Sequence, residues 1–341
     1  MKASSSLSTF ICITLLTAAS SLCSAQTSYT ITDLGTLSSH GFSWAHGINA
    51  TGEVTGASSG GGGSEVFLDS NGTLTGLGTL GGSSGVGNGI NTSGQVAGYS
   101  QNSSQAYRAF VSNGSTLLDL GDLGGGSAVA YALNDSGQVV GSAVTANGEN
   151  HPFIYSNGQM TDLGTLGSTS QEWNSAQGIN NNGAVTGTSY DAKGNFRAFF
   201  WSNGTIKEMG ALGGDWSQGY AINNRGQVTG IAYTKKNAQA HAFIANCATC
   251  KFKDLGTLAA TGISWGFGIN DAGVVVGRAT TQTGSYLAFV YSNGKIKNLN
   301  KMIPAGSGWV LLEADSINAA GQIAGMGMHN GQEHAYLLTP Q

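Results

Sequence analysis

From residue 29 onward the chain consists of short runs in which apolar and polar residues alternate, each soon interrupted by glycine, asparagine or serine. Alternation at period two predicts half-buried strands, and no segment carries the 3.6-residue period of a helix. Two kinds of interruption recur. Ser-Asn-Gly stands at 70, 112, 156, 202 and 292, where Asn-Gly tolerates the positive φ of a tight hairpin. Ile-Asn-x-x-Gly, as in Asn91-Thr92-Ser93-Gly94 and Asn180-Asn181-Asn182-Gly183, predicts a second hairpin in which asparagine caps the turn and glycine takes the left-handed position. The first full pass predicts strands over 44–49, 53–57, 66–69 and 74–80.

The whole pattern recurs. The Ile or Leu before the capping asparagine stands at 48, 90, 133, 179, 222, 269 and 317, in steps of 42, 43, 46, 43, 47 and 48 residues. Four antiparallel strands in each of seven such units predict an all-β fold, a seven-bladed β-propeller; a β-helix needs shorter coils. The ends of the pattern agree with a ring. It begins at Tyr29 with only a fourth strand and ends at His334-Ala335-Tyr336-Leu337 with only a third. Pairing the N-terminal strand with the C-terminal strands completes one blade and covers the edges an open array would expose.

His241-Ala242-Phe243 and His334-Ala335-Tyr336, set among Ser-Asn-Gly and Asp-Leu-Gly-Thr-Leu elements, resemble the repeat of the HAF family of extracellular repeat proteins. The resemblance covers essentially all of residues 26–341 and implies secretion and repetition; it carries no catalytic residue. Other copies hold Glu65, Arg108, His151, Arg197 or Leu287 at the histidine position, which reads as a tolerated polar site rather than a ligand.

Residues 1–25 read as a signal peptide: Lys2, an apolar run from Leu7 to Ala19, then small residues up to a cut after Ala25. The expected product is a single domain over 26–341, secreted or periplasmic and monomeric. No other stretch approaches the ~20 apolar residues that span a bilayer. Charged residues make up 9% of the chain against about 25% in ordinary domains, so solubility rests on Ser, Thr, Asn, Gln and backbone. With a net charge of −4 and no basic cluster larger than Lys235-Lys236, nucleic acid and anionic membrane are excluded as partners. Cys247 and Cys250 replace one Ser-Asn-Gly turn, and in an exported chain they read as a short structural disulfide. Asp33, Asp119, Asp162 and Asp254 recur on the outer strand and read as turn-binding or edge residues. His241 and His334 sit in different repeats without added carboxylate or cysteine nearby, so neither a metal nor a cofactor is expected.

Function is sought where the copies differ. The segment from the Leu or Met of Gly-Thr-Leu to the Ile or Leu of Ile-Asn spans 11, 10, 10, 13, 10, 11 and 15 residues, with insertions in the fourth and seventh repeats. Trp44, Trp173, Trp216, Trp265 and Trp309 fall in it, with Tyr131 and Tyr220 nearby. Aromatic faces beside acids, as in Glu172-Trp173 and Asp215-Trp216, suit sugar binding, because a ring stacks on pyranose C–H groups while an acid accepts from hydroxyls. Two function classes follow. One is a binding module for a neutral glycan or a peptide, with the tryptophans and tyrosines as platforms. The other is a hydrolase or lyase in which Glu313 or Asp315 works with Glu172 or Asp215 across the mouth, or His46 acts as base to Asp315. A structural scaffold of the cell envelope is the third possibility. Deleting residues 334–341 is expected to lower the melting temperature of the whole domain; an unchanged transition in a thermal scan of the truncated chain overturns the ring.

Overall fold

The computed structural model describes residues 28–59, 62–167, 173–247 and 251–341. The leader, Glu172 and Cys250 lie outside these residues, so the proposed cleavage, that candidate acid and the disulfide have no structural account. Two short 3-10 turns, Lys235–Asn237 and Leu299–Lys301, are the only helical elements among the described residues; the rest is strand and turn.

Each repeat folds as an antiparallel four-stranded meander. In the first, Ser43–Ile48 pairs with Val54–Ser59, which pairs with Ser64–Ser70, which pairs with Thr73–Gly78. The equivalent first strands, called inner strands below, are Gly81–Ile90, Gly124–Leu133, Ser175–Ile179, Gly213–Ile222, Ser264–Ile269 and Trp309–Ile317. The last meander takes its fourth strand from the other end of the chain: Tyr29–Gly35 runs antiparallel to Gln332–Pro340, with Tyr29 opposite Pro340 and Asp33 opposite Tyr336. A single parallel pair, Ser64 with Ser84, also joins the first two meanders. The inner strands of the second, third and fifth repeats are ten residues long, so part of the segment read as loop is strand. Register shifts inside those strands break the simple alternation and hide them from a period-two pattern.

The hairpins follow their sequences. Asn157 and Gly158 take φ of 52° and 81°, the conformation that makes Asn-Gly the tight turn between third and fourth strands. The core is equally repetitive. Phe67, Phe110, Phe153, Phe199, Phe243, Phe289 and Tyr336, one per repeat on the third strand, have no exposed surface. Burying each ring contributes about 1.5–3 kcal/mol. Opposite each lies the glycine that closes the Gly-Gln-Val-x-Gly element. A Cβ on Gly187 would come within 2.0 Å of the Ser175 carbonyl oxygen and 2.9 Å of the Phe199 ring. The second strand therefore has room for the ring only because this position lacks a side chain.

The asparagine of Ile-Asn does more than cap its own turn. Asn134 Oδ1 accepts from the backbone N–H of Ser136 at 3.1 Å and of Gln138 at 3.0 Å, and Nδ2 donates to Gln138 Oε1 at 2.8 Å. Its remaining Nδ2 proton goes to the backbone carbonyl of Asn180 in the next repeat, at 3.1 Å. The same bond runs from Asn49 to Asn91, Asn91 to Asn134, Asn180 to Asn223, Asn223 to Asn270, Asn270 to Asn318, and from Asn318 back to Asn49. All of these side chains are buried, between 3% and 7% exposed. Only an amide has both the two acceptor sites and the two donor protons that this arrangement uses. Asn134→Ala is expected to cost about 3 kcal/mol in chemical denaturation, from several lost bonds and a stranded carbonyl. Asn113→Ala, on an exposed hairpin, is expected to stay within about 0.5 kcal/mol of the parent.

Candidate functional site

Every inner strand carries a β-bulge one residue before its last small residue. The pairing passes from Ala45 to Gly47, Gly87 to Gly89, Ala130 to Ala132, Ala176 to Gly178, Gly219 to Ala221, Gly266 to Gly268 and Ala314 to Ser316. The residues skipped are His46, Asn88, Tyr131, Gln177, Tyr220, Phe267 and Asp315. These same residues line a cavity of about 230 Å³ on the axis of the repeats. A bulge leaves one residue unpaired and re-aims its side chain, here into the cavity. The flanking residues are small because adjacent inner strands nearly touch: a Cβ on Gly178 would lie 2.9 Å from the Tyr220 carbonyl oxygen. Below this layer the Ile and Leu side chains that precede the asparagines form an apolar collar, and beyond the collar the asparagines line a second cavity of about 230 Å³.

A cavity of about 560 Å³, larger than the axial one, opens between the third, fourth and fifth repeats on the bulge side of the collar. Tyr131, Gln177 and Tyr220 line both this cavity and the axial one, so the two lie side by side. Trp173, Phe196, Asn150, Ser142, Thr188 and Gln218 complete most of its wall, and among the described residues that line it none is charged. Trp173 is 68% exposed and holds φ at 76°, a left-handed conformation costly for a bulky side chain.

The other tryptophans are used in packing. Trp44 stacks on Phe42 and donates to Glu333 Oε2 at 3.1 Å. Trp216 lies between Phe196 and Tyr233 and thereby backs the wall of the large cavity. Trp265 meets Tyr286 edge-on and Arg278 over its face at 4.7 Å, and Trp309 stacks on His329 with rings 3° from parallel. Asp215 is exposed at the start of its strand, where its backbone N–H donates to Asn237 Oδ1. It lines neither the axial cavity nor the large one.

Glu313 and Asp315 are brought together on one strand, with His46 and Arg278 from the neighbouring repeats. Arg278 Nη1 donates to Glu313 Oε2 at 2.7 Å, while its guanidinium sits over Trp265, Phe267 and Tyr286. His46 Nδ1 lies 4.0 Å from Asp315 Oδ1. Burial, reinforced by the charge of Glu313 and a hydrogen bond to it, pushes Asp315 well above the usual carboxylate range, with Arg278 opposing. Asp315 Oδ2 is buried and finds no donor. Burial also lowers His46, with Glu313 opposing, and raises Tyr220 and Tyr336. The group that results sets a carboxyl whose proton burial retains beside the Arg278-paired Glu313 and an imidazole whose protonation burial disfavours, a set able to donate and accept a proton at the axial cavity.

Sequence reasoning missed Asn88, Gln177, Gln218 and Arg278. The signal for the first two is the small-x-small-Ile-Asn pattern, in which the varying residue stands between two residues that must stay small. Arg278 carries no such signal, because its partners come from other strands.

One reading is corrected at the ends of the chain. His334 is expected to have no further metal ligand near it; in the fold, Asp33 and His329, the latter on the preceding strand, are both beside it. The recurring outer-strand acids do bind turns, accepting from the glycine two residues on, as Asp162 does from Gly164 at 2.8 Å. They also pair with the residue at the histidine position: Arg108 with Asp119, His151 with Asp162, Arg197 with Glu208, His241 with Asp254 and His334 with Asp33.

Comparison with known proteins places the chain by fold. The oligogalacturonate lyase of Vibrio parahaemolyticus matches with a TM-score of 0.58 at 10% identity, over 91% of this chain and 93% of that one. The β-propeller domain of the trilobed protease of Pyrococcus furiosus matches with a TM-score of 0.57 at 11% identity, over 88% of this chain and 97% of that domain. The chain has a β-propeller fold. No family model and no curated protein matches it.

The Asp315 environment gives a signed prediction. Its folded pKa is raised, so folding holds its proton, and stability falls as pH climbs from about 3.9 toward the folded value. Asp315→Asn removes that penalty. Its melting temperature is expected to match the parent near pH 4 and to exceed it at pH 8; a difference that does not grow with pH overturns the assignment.

Proposed function

We propose that the chain is an exported, HAF-type propeller whose seven repeats close into one ring, and that it binds a neutral glycan at the mouth opposite the asparagine ring. The closure reading is supported by the return of the asparagine bonds from Asn318 to Asn49 and by the pairing of Tyr29–Gly35 with Gln332–Pro340. The glycan reading is carried by the large cavity. Among the described residues its wall combines aromatic faces, amides and hydroxyls with no charged side chain, and its most exposed ring, Trp173, holds a strained backbone conformation. Such a wall stacks on sugar rings and exchanges hydrogen bonds with hydroxyls without stranding a charge. The site sits on rigid strand edges, which limits the entropy lost on binding.

A second reading has its own support. Tyr131, Gln177 and Tyr220 are shared between the walls of the large cavity and the axial one, where Asp315 and His46 stand. A glycan reaching past these residues meets a proton donor and acceptors, which is the equipment of a hydrolase or lyase. Binding is the preferred reading because Glu313 is already engaged by Arg278 at 2.7 Å.

A glycan array and a reducing-end assay on the parent, Trp173→Ala and Glu313→Gln separate the readings. Binding is expected for the parent, reduced about tenfold or more in Trp173→Ala by loss of a stacking face. It is expected to persist in Glu313→Gln, with no turnover in any of the three. Turnover by the parent that Glu313→Gln abolishes establishes the enzyme instead, and the absence of any glycan bound defeats both.

A further inference from the structure

We propose that Asp33, His329 and His334 form a site for a divalent transition cation, zinc foremost, that fastens the N-terminal strand to the C-terminal hairpin. His329 Nδ1 lies 2.7 Å from Asp33 Oδ2, and His334 Nδ1 lies 2.9 Å from both carboxylate oxygens. One ligand atom from each of the three lies within 4.8 Å of the others. In a tetrahedral zinc site with bonds of about 2.0 Å, neighbouring donor atoms are about 3.3 Å apart, so a small outward movement of the carboxylate opens the centre. Two imidazoles and one carboxylate are the donor set of zinc and its neighbours rather than of calcium or magnesium.

The repeats supply an internal comparison. His151 with Asp162 and His241 with Asp254 occupy the same repeat position as His334 with Asp33, yet no second histidine joins them. His329 therefore sets this place apart. Its ring is fixed in plane by Trp309, at a centroid distance of 4.6 Å, and its Nε2 faces Asn330 Nδ2 at 3.1 Å. Metal at Nδ1 leaves the proton on Nε2, and Asn330 then presents its amide oxygen, an outer partner of the kind that orients metal-binding histidines. Asp33 is partly exposed, which leaves the fourth position to water.

The ligands come from three strands at two ends of the chain, Tyr29–Gly35, Ile323–His329 and Gln332–Pro340. A cation here binds only when those strands are assembled, so its binding energy adds to the stability of the fold. It thereby ties the one sheet whose strands are not contiguous in sequence.

Untagged protein, stripped with a chelator, is titrated with ZnCl2 by calorimetry and followed by thermal melting. The parent is expected to bind one zinc per chain and to melt at a higher temperature until chelator is restored, while CaCl2 and MgCl2 have no effect. His329→Gln keeps the His334–Asp33 pair and is expected to weaken zinc binding about tenfold or more. His241→Gln, which breaks a His–Asp pair lacking the second histidine, is expected to bind zinc as the parent does. No saturable zinc binding by the parent, an equal response to calcium, or full affinity in His329→Gln overturns the site.

Discussion

One buried amide proton passes from each repeat to the next. The capping asparagine satisfies three groups of its own turn and then spends its last donor on the carbonyl of the following repeat, so the geometry of a local hairpin fixes the position of a distant one. Because the side chain is buried, its bonds are not exchanged for water, and a missing partner leaves a polar group stranded. Local turn chemistry and the joining of successive repeats are thus one constraint. The third-strand rings, six Phe and one Tyr, have no exposed surface, but a row of such rings sets no limit on how far the row continues; the asparagine bonds run back from Asn318 to Asn49.

With the inner strands pinned at that end, their other features follow. Small residues let neighbouring strands approach, and the register slips by one residue at the same place in every strand. The slip turns a residue that would alternate into the sheet toward the axis. Scaffold and site are therefore neighbours in sequence with opposite requirements: Gly178 cannot gain a side chain without meeting Tyr220, whereas Gln177 beside it meets open space in the cavity.

What was legible in the sequence was what local rules decide. Alternation, Asn-Gly turns and the capping asparagines gave strand order and hairpins, because each depends on a few adjacent residues. The candidate site was legible in part: His46, Tyr131, Tyr220 and Asp315 were singled out, and all four line the axial cavity. Ring content alone says nothing of direction: four of the five tryptophans are engaged with neighbouring rings or side chains, and Trp173 is the exposed one. The Arg278–Glu313 pair and the Asp33–His329–His334 group were hidden for a different reason. They join residues 35 and about 300 positions apart, and only the completed fold makes them adjacent.

The bulge also governs how such a protein can diversify. A substitution at one of the seven slipped positions alters the lining of the axis while leaving the phenylalanine core, the glycine contacts and the asparagine bonds in place. Duplicated repeats can then drift apart in recognition without drifting apart in shape. The present lining of one imidazole, two amides, three aromatic rings and one acid reads as such a record: identical modules, each bearing its own independently chosen letter at one fixed place.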